Sequence, residues 1–394
     1  MDGFRTSHEL AGVTPLTDAD LEALVPPSLV DEHRSRALRA ADPVVRGTAQ
    51  NPDVFFQSRE AANPWHDSVP AVAEEVLAQF AELTGRNYGI AEYHGHPGAT
   101  DVVVVSGSGV WAVRDAVDQL NSTGRRCGVV HLRLFRPFPA DALTAALPGT
   151  VERIAVLDRC KEPGSAAEPL CADVTTAVAA AAGRSAFEAG MPTITGGRYG
   201  LGSKEFTPAM AAAVFDALGG GAPPRQFTVG INDDVTGLSL PVEAGRFPER
   251  EDVTTAVLVG LGSDGTVGAA KNACKIAAGR PGHEGHVQGY FVYDSKKSGA
   301  VTVSHLRFAE EPLEAPWLID RTDYLGIHQF SLLERHDLLD RAADGATVVV
   351  NSPHGPEDTF DRLPADARRH IVERNLSVHV VDAGSISRKA GLGG

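Results

Sequence analysis

From Asp101 onward the chain alternates short apolar runs with turns and helical stretches. The clearest run is Val102-Val-Val-Val105, four β-branched residues followed by the turn Ser106-Gly-Ser-Gly109 and a helical pattern over 110–120. Runs at 128–134, 153–157 and 193–202 repeat the pattern, with helical spacing at 141–146, 168–182 and 206–218. A strand that is apolar at every position is buried on both faces, as in a parallel sheet covered by helices. Gly and Pro then become dense at 219–224, and 239–252 is polar without a period, so a linker is expected there. A second α/β pattern begins with a strand at 255–259 and a helix at 267–278. Further strands are expected at 289–293, 301–306, 324–327, 347–351 and 377–382. Before Asp101 the pattern is helical: 18–41, interrupted at Pro26-Pro27, and 72–83. The first nine residues contribute no strand of their own. The fold class predicted is α/β, with two consecutive open, mostly parallel sheet domains after a helical and irregular segment, divided at 1–86, 87–245 and 246–394.

The whole chain has 394 residues and a formal net charge of −15. Such an acidic balance argues against nucleic acid or an anionic membrane as the main partner, since both need a basic footprint. No apolar run approaches the length of a membrane span, and the first ten residues are polar and charged, so the chain reads as cytoplasmic. Four cysteines stand at Cys127, Cys160, Cys171 and Cys274, with no C-x-x-C pair. That spacing supports neither a zinc nor an iron–sulfur site and predicts reduced thiols, most of them buried.

Chemistry concentrates in a few segments. Gly260-x-Gly262-x-x-Gly265 follows a strand and opens a helix, where backbone N–H groups can cradle phosphate. The alternative is a tight turn without a ligand. No acidic residue stands at the distance a ribose-binding carboxylate needs, which favours phosphate over NAD. The loop Asp294-Ser-Lys-Lys-Ser-Gly299 brings together two lysines and two hydroxyls, suited to an anion, or else forms a solvated turn. His305 reads as a core histidine with a satisfied hydrogen bond. The glycine-rich segment 196–205 either holds an anion or packs against a neighbour. No G-x-S-x-G or H-E-x-x-H occurs.

The wording of whole segments goes further. Arg46-Gly-Thr-Ala-Gln-Asn-Pro-Asp53, Val130-His-Leu-Arg-Leu-Phe-Arg-Pro137, Val156-Leu-Asp-Arg-Cys-Lys-Glu-Pro-Gly164, Gly197-Arg-Tyr-Gly-Leu-Gly-Ser-Lys-Glu-Phe206 and Gly289-Tyr-Phe-Val-Tyr-Asp-Ser-Lys-Lys-Ser-Gly299 resemble the pyruvate:ferredoxin (flavodoxin) oxidoreductases. So do Gly3-Phe-Arg-Thr-Ser-His-Glu9, Phe227-Thr-Val-Gly-Ile-Asn-Asp-Asp-Val-Thr236 and Gly260-Leu-Gly-Ser-Asp-Gly-Thr-Val-Gly268. The resemblance runs in order along the whole chain. It implies the end of a thiamine-pyrimidine-binding domain, a transketolase C-terminal-like domain, and most of a domain associated with coenzyme A. In the complete family enzyme, thiamine diphosphate, magnesium and [4Fe–4S] clusters convert pyruvate to acetyl-CoA and CO₂. The parts that activate thiamine, bind its diphosphate and metal, and carry the clusters have no counterpart here. Cys160 stands where the family has threonine, and Pro97-Gly98 where it has Pro-Asp.

The resemblance therefore implies a partial chain or subunit of a 2-oxoacid oxidoreductase, not competent alone. Its partners would be the other domains or subunits, with ferredoxin or flavodoxin reached through the complete enzyme, and a homodimer is expected. Coenzyme A is the one cofactor expected to touch this chain, at Gly262, Ser263, Asp264, Gly265, Thr266, Lys296, Lys297 and Ser298. Two rivals are an assembly module without ligand and an NAD-dependent reductase.

Overall fold

A computed structural model describes residues 8–221, 223–233, 235–243, 245–280, 286–292 and 299–391. Lys296, Lys297 and Ser298 lie outside them, as do Tyr293 and Asp294. The chain divides into two compact units, one of Met1–Val13, Gly202–Ala211 and Val242–Gly394, the other of Thr14–Leu201 and Ala212–Pro241. The first element, strand β1 (Glu9–Ala11), belongs to the former unit. The latter begins with helices α1 (Asp18–Leu24), α2 (Pro27–Ser35), α3 (Pro52–Glu60) and α4 (Asn63–Thr84). Thr17 and Asp20 form a capping box that starts α1. The Pro26-Pro27 pair ends that helix and supplies a proline at the start of the next, so the break expected in 18–41 is real. No residue of these four helices is buried, and Trp65 is 78% exposed.

The sheet of this unit comprises β2 (Ala91–Gly95), β3 (Asp101–Val105), β4 (Cys127–Leu132), β5 (Arg153–Asp158), β6 (Thr193–Arg198) and β7 (Gln226–Thr228), in the order β2-β4-β3-β5-β6-β7. Every pairing is parallel except that of the edge strand β2 with β4. All five residues of β3 are buried, as its unbroken apolar run demands. Helices α5 (Val110–Ser122), α6 (Ala140–Ala146) and α7 (Pro169–Ala182) alternate with the strands, and α8 (Pro208–Gly219) follows β6. Leu132, Leu143, Val156, Val174 and Val178 form the centre of the core beneath α6 and α7. From β3 the chain first adds β4 on one side, then β5, β6 and β7 on the other. This is the 2-1-3-4-5 order of doubly wound sheets.

The second sheet is mixed, in the order β1-β9-β10-β8-β11-β12-β13. Its strands are β8 (Thr254–Leu261), β9 (Val287–Val292), β10 (Val301–Phe308), β11 (Thr322–Ile327), β12 (Ala342–Asn351) and β13 (Ser377–Val381), completed by β1. β8, β11, β12 and β13 run parallel, while β10 pairs antiparallel with both β8 and β9. Helix α9 (Thr266–Ala278) packs Ala270 and Cys274 onto Ala256, Leu258 and Leu306 on one face. The other face carries Val257, Val259, Leu325, Ile327 and Val348. β1 pairs antiparallel with β9, so the polar first residues do supply a strand, contrary to the sequence expectation. Three residues carry too little periodicity to announce one, and β1 exists because it covers a sheet edge. Helices α10 (Pro356–Arg362), α11 (Ala365–Glu373) and α12 (Ala383–Lys389) complete the unit. Among the described residues, no helix is long and apolar enough to cross a membrane.

Candidate functional site

In an open α/β sheet, ligands collect outside the carboxyl ends of the strands where the winding reverses. In the second sheet that place is the end of β8, which leads into α9 on one side of the strand order, while β11 follows on the other. Gly260 stands one residue before the end. A Cβ on it would collide with Thr266 Oγ1 and lie 2.5 Å from Asp264 Oδ2, so glycine is required for the turn to close. Ser263 (φ 74°) and Gly265 (φ 89°) both adopt the left-handed conformation. Between them Asp264 folds back: Leu261 N donates to Oδ2 at 2.7 Å and Thr266 N to Oδ1 at 2.8 Å. Gly262 N donates to Ala300 O at 2.8 Å. The amides of Ser263 and Gly265 have no partner among the described residues. Burial pushes the Asp264 carboxyl up, but its bonds from Leu261 and Thr266 outweigh that and hold it below the ordinary value.

This turn is tied to its neighbours. Thr266 Oγ1 lies 2.8 Å from Nδ1 of His328, the residue after β11. His328 N donates to Val259 O at 2.9 Å, and His328 O accepts from Asn351 Nδ2 at 3.0 Å. Ala383 N, at the start of α12, donates to Asn351 Oδ1 at 3.1 Å. One hydrogen-bonded line thus joins the carboxyl ends of β8, β11 and β12 to the start of α12. Across the ladder from Gly260, Thr302 is 4% exposed and its hydroxyl has no partner among the described residues. Gly262, Ser263, Asp264, Gly265 and Thr266 therefore occupy one turn. His328 and Asn351, which complete its surroundings, were missed because each is a single polar residue at a strand end; the strand-end rule alone could have found them. The arrangement presents backbone donors, and its one hydroxyl–imidazole contact among the described residues, Thr266 Oγ1 with His328 Nδ1, ties the turn to the end of β11. His305 sits inside β10, 2% exposed, its Nδ1 accepting from Ile319 N at 3.1 Å, which makes it a core histidine.

The other unit places charge at the ends of β5 and β6. Leu170 N and Cys171 N, in the first turn of α7, donate to Asp158 Oδ1 and Oδ2 at 2.9 and 3.0 Å. Asp158 therefore caps a helix that its own N-cap residue, Glu168, leaves without a side-chain cap. Glu168, 4% exposed, accepts from Glu162 N and pairs with Arg198 at 3.3 Å and Lys161 at 3.4 Å. Part of the glycine-rich segment is packing: a Cβ on Gly197 would collide with the Phe227 ring. Cys127, Cys171 and Cys274 are buried free thiols, and Cys160 is exposed.

The family model described as Pyruvate ferredoxin/flavodoxin oxidoreductase matches residues 255–394. Pyruvate:ferredoxin oxidoreductase core domain II matches 99–198, and Pyruvate flavodoxin/ferredoxin oxidoreductase, thiamine diP-bdg, matches 1–78. Pyruvate-flavodoxin oxidoreductase of Rhodospirillum rubrum is 51% identical over 100% of this chain, which covers 33% of that protein. The probable pyruvate-flavodoxin oxidoreductase of Escherichia coli is 44% identical over 99% of the chain and 33% of that protein. Pyruvate:ferredoxin oxidoreductase of Moorella thermoacetica is 45% identical over 100% of the chain and 33% of that protein. The chain spans about a third of the length of the curated relatives it matches.

Proposed function

Because this chain belongs to the pyruvate ferredoxin/flavodoxin oxidoreductase family, we propose that it is the part of such an enzyme that receives coenzyme A while pyruvate is oxidatively decarboxylated to acetyl-CoA. The observation that carries this reading is the turn after β8, where two amides without partners among the described residues stand at the start of α9. Ser263 N–H and Gly265 N–H would donate to phosphate oxygens of the nucleotide, with Gly262 and Thr266 holding the turn closed. Lys296, Lys297 and Ser298 are proposed for the same anion, on sequence alone. The carboxylate of Asp264 limits the site, because it already holds two amides there and repels phosphate at short range. It also repels a pyrophosphate, which weighs equally against an NAD-dependent reductase.

When bound, thiamine diphosphate and magnesium supply the carbanion chemistry of the complete enzyme, and iron–sulfur clusters its electron transfer. The cysteines of this chain do not fit a cluster: three are buried as separate thiols and the fourth is exposed. The chain's own residues are proposed to bind and orient coenzyme A, and to dock onto the remaining domains or subunits in a cytoplasmic dimer. Electrons would leave for ferredoxin or flavodoxin through those other parts. One observation favours an assembly role without ligand, namely that Asp264 already caps its own helix. Reconstitution tests the proposal: this chain is mixed with the remaining two thirds of a relative, and pyruvate- and coenzyme A-dependent reduction of a flavodoxin is followed. Turnover is expected only from the mixture, and its absence with folded, associated parts contradicts the proposal.

A further inference from the structure

A cavity of about 280 Å³ opens between α7 and the edge of the sheet formed by β6 and β7. Its floor is made of small apolar residues, among them Ala167, Cys171, Ala172, Ile194 and Gly196. Glu168, Arg198, Arg225 and Gln226 supply its polar wall. The hydrogen bonds of that wall are unevenly spent. Glu168 Oε1 already accepts from Arg198 and Lys161, and Oε2 from Glu162 N. Gln226 Oε1 accepts from Arg198 at 3.3 Å, and its Nε2 donates to Ala166 O at 3.0 Å. Thr175 Oγ1 donates to Cys171 O at 2.7 Å. What remains is donors. Arg198 is only 8% exposed, yet its side-chain bonds among the described residues all leave from Nη1. The exposed Arg225 side chain has no partner among the described residues.

Glu168 offsets the charge of Arg198, but the guanidinium keeps unspent donors beside Arg225, which has no partner among the described residues, so the wall retains a net positive charge that suits an acceptor carrying negative charge. The helix start next to it makes no such demand, because Asp158 already occupies the amides of Leu170 and Cys171. We propose that this cavity binds a small organic anion, with its charged head on Arg198 and Arg225 and a short apolar body against Ala172 and Ile194. Its volume lies at the lower limit of ligand pockets, which restricts the body to a few carbons. The site is independent of the turn after β8, which is on the other sheet.

Saturation-transfer NMR with sodium butyrate tests this, using n-butylammonium chloride as a probe of equal length and opposite charge. Butyrate should bind at roughly millimolar affinity, as few atoms permit no more. Arg225→Gln should weaken it about tenfold, and Ala172→Leu, which adds bulk at the cavity on an exposed helix position, should abolish transfer. Both positions are exposed, and circular dichroism of the variants should match the parent. No transfer to butyrate, equal transfer to butylammonium, or parental binding by either variant overturns the proposal.

Discussion

At the scale of single residues, Gly260 shows how little freedom the turn after β8 has. Any Cβ there meets Asp264 Oδ2, which holds the turn to the end of β8 through Leu261 N, and Thr266 Oγ1, which ties the start of α9 to His328. Gly260→Ala should therefore destabilise its unit by about 2 kcal/mol or more, through lost bonds and strain. A change in urea midpoint worth less than about 0.5 kcal/mol would contradict this placement. Two buried histidines make a second, pH-dependent prediction. Burial, reinforced by Arg341 and Arg307, pushes His305 down from 6.5 to about 3. Burial with Arg133 pushes His131 down to about 4. Below pH 6.5 the unfolded chain binds a proton at each position that the folded chain refuses. Their contribution is thus complete above that pH and is lost as the pH falls towards the folded values. The slope should be roughly 1.4 kcal/mol per pH unit for each histidine. Denaturant titrations from pH 7 downward should show it, and His305→Asn should make it shallower by about one proton. An unchanged slope would place that histidine outside the core.

At the scale of elements, the strands were legible because burial on both faces leaves an unbroken apolar signature, as in Val102-Val-Val-Val105. The same logic explains what was not legible. β1 is only Glu9–Ala11, and its reason for being a strand lies some 280 residues away, in the edge of β9. Its fit is specific: Leu10 packs on the core beneath α9, Glu9 accepts from Gln288 Nε2, and His8 lies 6.4 Å from the Tyr290 ring. Leu10→Pro should release it, since proline removes a ladder donor and cannot keep the strand's geometry. Amide exchange over Val287–Val292 should then accelerate, and the bared edge should promote association. Unchanged protection would mean that β9 needs no neighbour. The Asp158 cap on α7 was equally invisible, because Asp158 ends β5, 12 and 13 positions before the amides it receives, rather than standing at the N-cap.

At the scale of the whole molecule, the two sheets and the family were readable from the residues, because long ordered segments carry the resemblance and fold class follows from apolar runs. The candidate site was half readable. Its glycines announce a turn, yet the folding back of Asp264 and the link to His328 and Asn351 depend on strand order, which spacing alone does not determine. That turn, together with Lys296 and Lys297 proposed for the same anion, bears the functional claim, and calorimetric titration of coenzyme A tests it most directly. The parent chain and a Lys296→Ala, Lys297→Ala variant are titrated at two salt concentrations. The account predicts binding by the parent, a loss of one to three orders of magnitude (~1–4 kcal/mol) in the variant, and a stronger salt dependence for the parent, since salt screens the charges removed. Equal affinities, or no heat from the parent, would contradict it.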